Sequence, residues 1–271
     1  MNNLKIFCTS INYYKILDKM PGYIHPLGLG VKNFPNHWLN EQDGENISEL
    51  NKYYGELTGI YWIWKNIVNT MNRNDKIGNC HYRKFWLNNL LNKKQKFSTQ
   101  SIYSNLLDKD NPNIYSHKNI QVQPIVFKNK NLLYDFKEIH KSDILEEAID
   151  FLDNHHQLGF RNHLNNNVFY PLNMFITNVE GFTKYCEVLF PWLEKCLEIC
   201  LQRSLCQNYN TRLPAFLGER FTSFWFSQSS DRVELSYARL GKIILSNKLN
   251  SIFNPLKLPF SFRMYPTIHR Y

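Results

Sequence analysis

Short apolar runs set apart by longer stretches of helical spacing constrain this chain most, because that alternation builds a sheet with helices packed on it. The first run, Leu4 to Thr9, has the look of a buried opening strand. Lys76 to Tyr82, Ile120 to Phe127 and Pro171 to Thr177 read as further strands, with Pro124 marking a bend or edge. Between the first two lies a polar stretch bearing Pro and Gly, Met20 to Gly44, which predicts an ordered loop near a site. Asn46 then caps a helix with Glu49 reaching back to it, and the apolar stripe Leu50, Tyr53, Leu57, Ile60, Trp64, Ile67, Met71 predicts about six turns. Ser142 to Leu152, Glu180 to Cys206 and Ala215 to Phe226 complete the helices, the second with a kink or a new start at Pro191. The fold class is therefore α/β, and 271 residues of 43% hydrophobic composition suffice for a full core.

Charge narrows the partners. The net charge is +9, which attracts phosphates, whether of nucleic acid, lipid or a metabolite. No zinc-finger spacing, arginine-rich helix or RNP-like strand is present, so nucleic acid has little support. From Arg232 to Arg270 seven Lys or Arg face one acid, Glu234, with Phe253, Phe260, Phe262 and Tyr265 interleaved. Such a tail suits either an anionic membrane surface or loose packing on the domain. The six cysteines form no CxxC, and the start MNNLKIFCTS has no signal-peptide pattern. No apolar run is long enough to span a bilayer, so the expectation is a cytoplasmic protein, peripheral at the inner membrane if the tail binds lipid.

Four constellations carry candidate chemistry. Asp43 to Ser48, followed by Asn51, Glu56 and Thr58, opens a helix whose free N–H groups suit a phosphate or ribose, although capping alone accounts for Asn46 and Ser48. Gly78 to Lys84 puts His81, Arg83 and Lys84 at a strand end, where open α/β sheets bind ligands and where cations suit a pyrophosphate; a chance basic turn fits equally. Asn173 sits among apolar residues and needs a partner, either backbone or substrate. Arg212 precedes the Glu219-Arg220 pair, which is either a structural ion pair or a base held by its neighbour.

In this order the four blocks resemble the capsular polysaccharide synthesis glycosyltransferases grouped as domain-of-unknown-function family 4422. The matching residues are Asn46-Ile47-Ser48, Glu56-Leu57-Thr58, Tyr61-Trp62-Ile63-Trp64-Lys65-Asn66, and Gly78 with His81-Tyr82-Arg83. Asn173-Met174-Phe175-Ile176-Thr177 and Phe216-Leu217-Gly218-Glu219-Arg220 follow. The resemblance covers residues 3 to 228 and departs at Asp43-Gly44-Glu45, where spacing is compressed, and at Lys84, where the family carries Arg.

That resemblance implies a GT-A-like, Rossmann-type mixed sheet flanked by helices with a helical C-terminal part, over residues 1–230, and a basic aromatic extension over 231–271 packed on it. It implies inverting transfer of a hexose, galactofuranose being one candidate, from a nucleotide diphosphate donor (UDP-linked) to a capsule, O-antigen or lipopolysaccharide glycan, free or lipid-linked. Glu219 is then the base, oriented by Arg220, with Glu56 and Asp43 in reserve. Thr9, Asp43, Asn46, Ser48, Asn51, His81, Tyr82, Arg83 and Lys84 hold the donor, and Asn173, Met174 and Arg212 the acceptor. Transferases of this type often bind manganese or magnesium through Asp-x-Asp. The one such string, Asp108-Lys109-Asp110, follows no buried strand, so cations in place of a metal, and no cofactor, are expected. A non-catalytic glycan-binding protein of envelope assembly is the alternative.

Overall fold

The structure, a computed structural model, describes residues 3–88 and 106–239. Nine strands of these residues form one mixed sheet flanked by helices. Its heart is β1 (Leu4–Ser10), flanked in parallel by β2 (Ile24–Gly28) and β4 (Lys76–His81), with β3 (Leu39–Asn40) parallel beyond β2. On the other side, β9 (Phe175–Asn178) runs antiparallel between β4 and β6 (Asn119–Val122), and β10 (Arg232–Leu235) closes that edge parallel to β6. β5 (Lys84–Trp86) folds back from β4 after a two-residue turn and pairs with β11 (Tyr237–Arg239). A separate ribbon joins β7 (Ile125–Val126) to β8 (Val168–Phe169).

Alternation along β1 assigns its side chains to two cores. Leu4, Ile6 and Cys8 pack with Trp38, Cys80 and Trp86 on one face, while Phe7 joins the larger helical core on the other. That core is built by α2 (Leu57–Asn66), α4 (Leu132–His140), α5 (Ile144–Ile149), α6 (Asn154–Leu164), α7 (Val179–Gln202) and α8 (Leu213–Ser227), α1 and α3 being the short helices Asn51–Tyr54 and Pro112–Ser116. Trp192, Phe221, Phe160 and Tyr185 are fully buried there, and the Trp192–Phe221 centroids lie 5.0 Å apart. Burial of each such ring contributes about 1.5–3 kcal/mol. Much of the aromatic content is therefore core, and α7 and α8 supply the helical C-terminal part.

Three departures from the sequence reading have local causes. Met20 to Gly44 is no plain loop, since it holds β2 and β3; Pro26 and Gly28 disguise β2, and β3 is only two residues long. The long helix predicted from Leu50 is broken at Gly55, whose φ of +55° leaves the helical region; a Cβ there would also meet the Arg212 guanidinium. Pro171 to Met174 is a turn rather than strand, with Leu172 at φ +83° and Asn173 at φ +49°. α7 meanwhile runs through Pro191 without a second start.

β10 and β11 place residues 232–239 in the main sheet. Arg232 donates to the carbonyls of Ser227 (2.7 Å) and Ser229 (2.9 Å), so this cation is committed to the fold. The rest of the basic extension lies outside the described residues. Among the described residues, no helix is long and apolar enough to cross a membrane.

Candidate functional site

The carboxyl ends of β1 and β4 lie side by side, with Thr9 opposite His81. Because β9 runs antiparallel to β4, the turn that leads into it, Leu172–Asn173, arrives at this same edge. Two successive non-glycine residues at positive φ cost on the order of 1–3 kcal/mol each and persist only where their surroundings hold them. Here three ionisable side chains do so. Glu219 Oε1 accepts the Leu172 N–H at 2.5 Å, His81 Nε2 lies 2.5 Å from the Leu172 carbonyl, and Asn173 Nδ2 donates to Glu56 Oε1 at 3.0 Å. Beneath them Asn79, buried in β4, donates to the Asn173 carbonyl and accepts the Phe175 N–H. Asn173 Oδ1 is buried without a partner.

The two carboxylates differ in state. Glu219 is pushed above the ordinary glutamate value by burial, with Arg220 and the Leu172 N–H opposing and Glu56 adding to the rise. Its Oε2 takes no hydrogen bond from any described residue. Burial also pushes Glu56 up, but His81, Arg212 and Asn173 outweigh it, and its pKa is lowered. Both Glu56 oxygens are engaged, Oε2 by Arg212 Nη2 at 2.9 Å. Environments that drive two acids apart in this way separate a proton acceptor from a permanent anion.

His81 is lowered by burial, with Lys84 and Arg212 adding to the effect and Glu56 and the Leu172 carbonyl opposing. A ring nitrogen facing a carbonyl must carry hydrogen, so Nε2 is protonated, while Nδ1 lies 3.3 Å from Thr9 Oγ1, a hydroxyl that donates to the Cys80 carbonyl at 3.2 Å. Burial therefore disfavours the charged form of His81, one of the three cations expected at this corner. Arg83 and Lys84 remain. Tyr82, in the turn between β4 and β5, stacks on Tyr14 at 5.1 Å and carries the Arg83 guanidinium 5.5 Å from its ring.

Two expected roles are not supported by placement. Arg220 does not orient Glu219: one residue further around α8, it turns into the core. There it donates to Asp135 Oδ2 at 2.7 Å and lies 3.9 Å over Phe169. Met174 is 3% exposed and packs in the core beside β1, so its side chain offers an acceptor no surface.

The segment Asp43 to Asn51 borders a cleft of about 520 Å³ lined by Val31, Gln42 and residues 46–50. Its polar groups serve the loop first. Asn46 Oδ1 accepts from Ser48 N and Oγ, and Asn51 Nδ2 donates to Gly55 O and Thr58 Oγ1. From α2, Trp62 reaches the Asp43 carbonyl, and Asn66 accepts the Glu45 N–H while donating to the Glu45 carbonyl. The Asp43 side chain is exposed. Sequence reasoning missed Glu41, which is fully buried, accepts the Gly30 N–H and leaves Oε2 without a partner. Nothing in its polar neighbourhood marks it.

Asp108 and Asp110 lie near the opposite sheet edge. Tyr23, just before β2 begins, donates to the Leu107 carbonyl at 2.5 Å, and Asp108 Oδ1 caps the Asp110 N–H. Neither carboxylate bonds a residue of the turn that His81 and Glu219 hold. Among the described residues, no three His, Cys, Asp or Glu side chains converge on a metal-sized site.

Residues 5–230 match the family described as Domain of unknown function (DUF4422). Among solved structures, the apo form of the WbbM bifunctional glycosyltransferase aligns with a TM-score of 0.68 at 19% identity, covering 89% of this chain and 46% of that one. The chain spans about half the length of that protein, and at this identity the likeness is one of fold. No curated protein matches the chain.

Proposed function

The chain belongs to the domain-of-unknown-function family 4422, and from that premise we propose that it is a glycosyltransferase drawing on a nucleotide diphosphate sugar. The observation that carries the proposal is the grip of Glu219, His81 and Glu56 on one left-handed turn at the carboxyl edge of the sheet. Ligands of open α/β sheets bind at that edge. The fold likeness to a bifunctional glycosyltransferase supports the same reading.

In the proposed reaction the acceptor hydroxyl attacks the anomeric carbon as Glu219 Oε2 takes its proton. The new C–O bond forms as the bond to the diphosphate breaks, and the electron pair leaves with the phosphate oxygen. One carboxylate acting on the face opposite the leaving group gives inversion. Arg83 and Lys84, beside the end of β1, offset charge on the departing diphosphate without a divalent metal. Arg212, held by Glu56, faces the acceptor. A hexose, galactofuranose included, from a UDP-linked donor to a capsule, O-antigen or lipopolysaccharide acceptor is the specific form proposed, with the basic tail resting on an anionic inner-membrane surface.

The test is a thermal-shift panel of nucleotides, nucleotide diphosphates and their sugars. A transferase is stabilised by at least one nucleotide diphosphate, as mass action requires of a ligand that binds only the folded state. Stabilisation by glycans alone, with no nucleotide response, would instead establish the non-catalytic glycan-binding reading.

A further inference from the structure

Tyr209 is 55% exposed, yet its ring is braced from behind by two others. Phe216 stacks on it at 5.2 Å and 24°, and His140 at 5.8 Å and 12°. The brace is rigid. The turn Asn208–Arg212 is bolted to the end of α4, where Asn210 Nδ2 donates to the His140 carbonyl at 2.8 Å and Asn210 Oδ1 lies 2.9 Å from His140 Nδ1. Asn208 sits at φ +52°, and Thr211 Oγ1 closes the turn on the Asn208 carbonyl. Phe216 stands three residues before Glu219 on α8, a spacing that brings both to one side of the helix. At the other end of the turn, Arg212 reaches Glu56.

What sets Tyr209 apart from other exposed rings is that two rings support it on one side, so its opposite face is held fixed toward solvent. Flat, preorganised and edged by a cation and a carboxylate, it fits the apolar C–H face of a pyranose. We infer that Tyr209 is the stacking platform for the acceptor sugar, placing that ring on the α8 side of Glu219 while the donor lies on the β1–β4 side. The inference rests on the transferase reading above.

Methyl β-D-galactopyranoside, whose H3, H4 and H5 form one apolar face, is the probe, read by saturation-transfer NMR and titration on the full chain. Tyr209→Phe keeps wild-type affinity and saturation of those three protons. Tyr209→Ala and Tyr209→Leu weaken binding roughly tenfold, the loss expected for one aromatic contact. Stabilisation by the nucleotide diphosphate that the panel above identifies, measured in parallel, stays unchanged in all three variants and shows that they are folded. If Tyr209→Ala binds the probe as wild type does, or wild type gives no saturation on that face, the platform is overturned. If wild type is stabilised by no nucleotide diphosphate of the panel above, the transferase reading falls instead.

Discussion

Glu219 and Leu172, 47 residues apart in sequence, are joined by a 2.5 Å hydrogen bond from the Leu172 N–H to a carboxylate oxygen. The bond anchors a leucine at φ +83° and engages one of the two oxygens of the base proposed above.

Glu219→Gln keeps an acceptor for the Leu172 N–H but cannot take a proton. Turnover should fall by about 10²–10⁴, the usual contribution of a general base, with donor KM little changed. The acid limb of the wild-type pH–rate profile should lie above the ordinary glutamate value, since burial raises this carboxyl. Near-full turnover of the variant would remove Glu219 from the role.

The same shift has a stability consequence. An acid with a raised pKa in the fold binds its proton more tightly there, so its contribution is present below the unfolded value and is lost as pH rises through the folded one. Wild type should therefore lose more melting temperature than Glu219→Gln between mildly acidic and neutral pH. Parallel melting curves for the two proteins would refute the assignment of the shift.

Gly55→Ala places a methyl group where the Arg212 guanidinium lies, at a backbone φ of +55°. Strain of about 1–3 kcal/mol is expected in urea unfolding. Displacing Arg212 from Glu56 should also lower kcat/KM, whereas Gly22→Ala, with open space around it, should do neither.

Asp135→Asn leaves the buried Arg220 charge without its partner and should cost about 3–5 kcal/mol. The double change Asp135→Leu with Arg220→Met should recover much of that stability. A silent Asp135→Asn would show that the pair is not what holds α8 to α4.

With Asp108 and Asp110 near the far edge of the sheet, activity should survive EDTA, and manganese should not restore anything lost. Arg83→Ala should instead raise donor KM. Activity abolished by EDTA and returned by manganese would overturn the metal-free reading.

How far the sequence reached depended on whether the deciding contact was local. β1, β4 and α8 were legible because apolar spacing and capping act within a few residues. The break at Gly55 was not, since the apolar stripe continues through it, and the Arg212 guanidinium packed against it comes from 157 positions away. His81, Glu56, Asn173, Arg212 and Glu219 could all be named from motifs, but the charge of His81 could not, because burial determines it. Adjacent motif residues also part company in space. Asn173 stays in the turn while Met174 enters the core, and Glu219 and Arg220 point about 100° apart around their helix. Glu41 and Tyr209 sit in stretches with no pattern to mark them, and only the packed structure singles them out.

The reversed direction of β9 also orders events during synthesis. A chain emerging from the ribosome can pair β1 with β2 and β4 early, yet the turn ahead of β9 comes nearly a hundred residues after β4, and α8 later still. Glu56 must wait for Arg212, and Leu172 for Glu219. A product truncated before residue 213 would therefore fold part of its sheet but lack Glu219, and on the mechanism proposed above it should show no transfer.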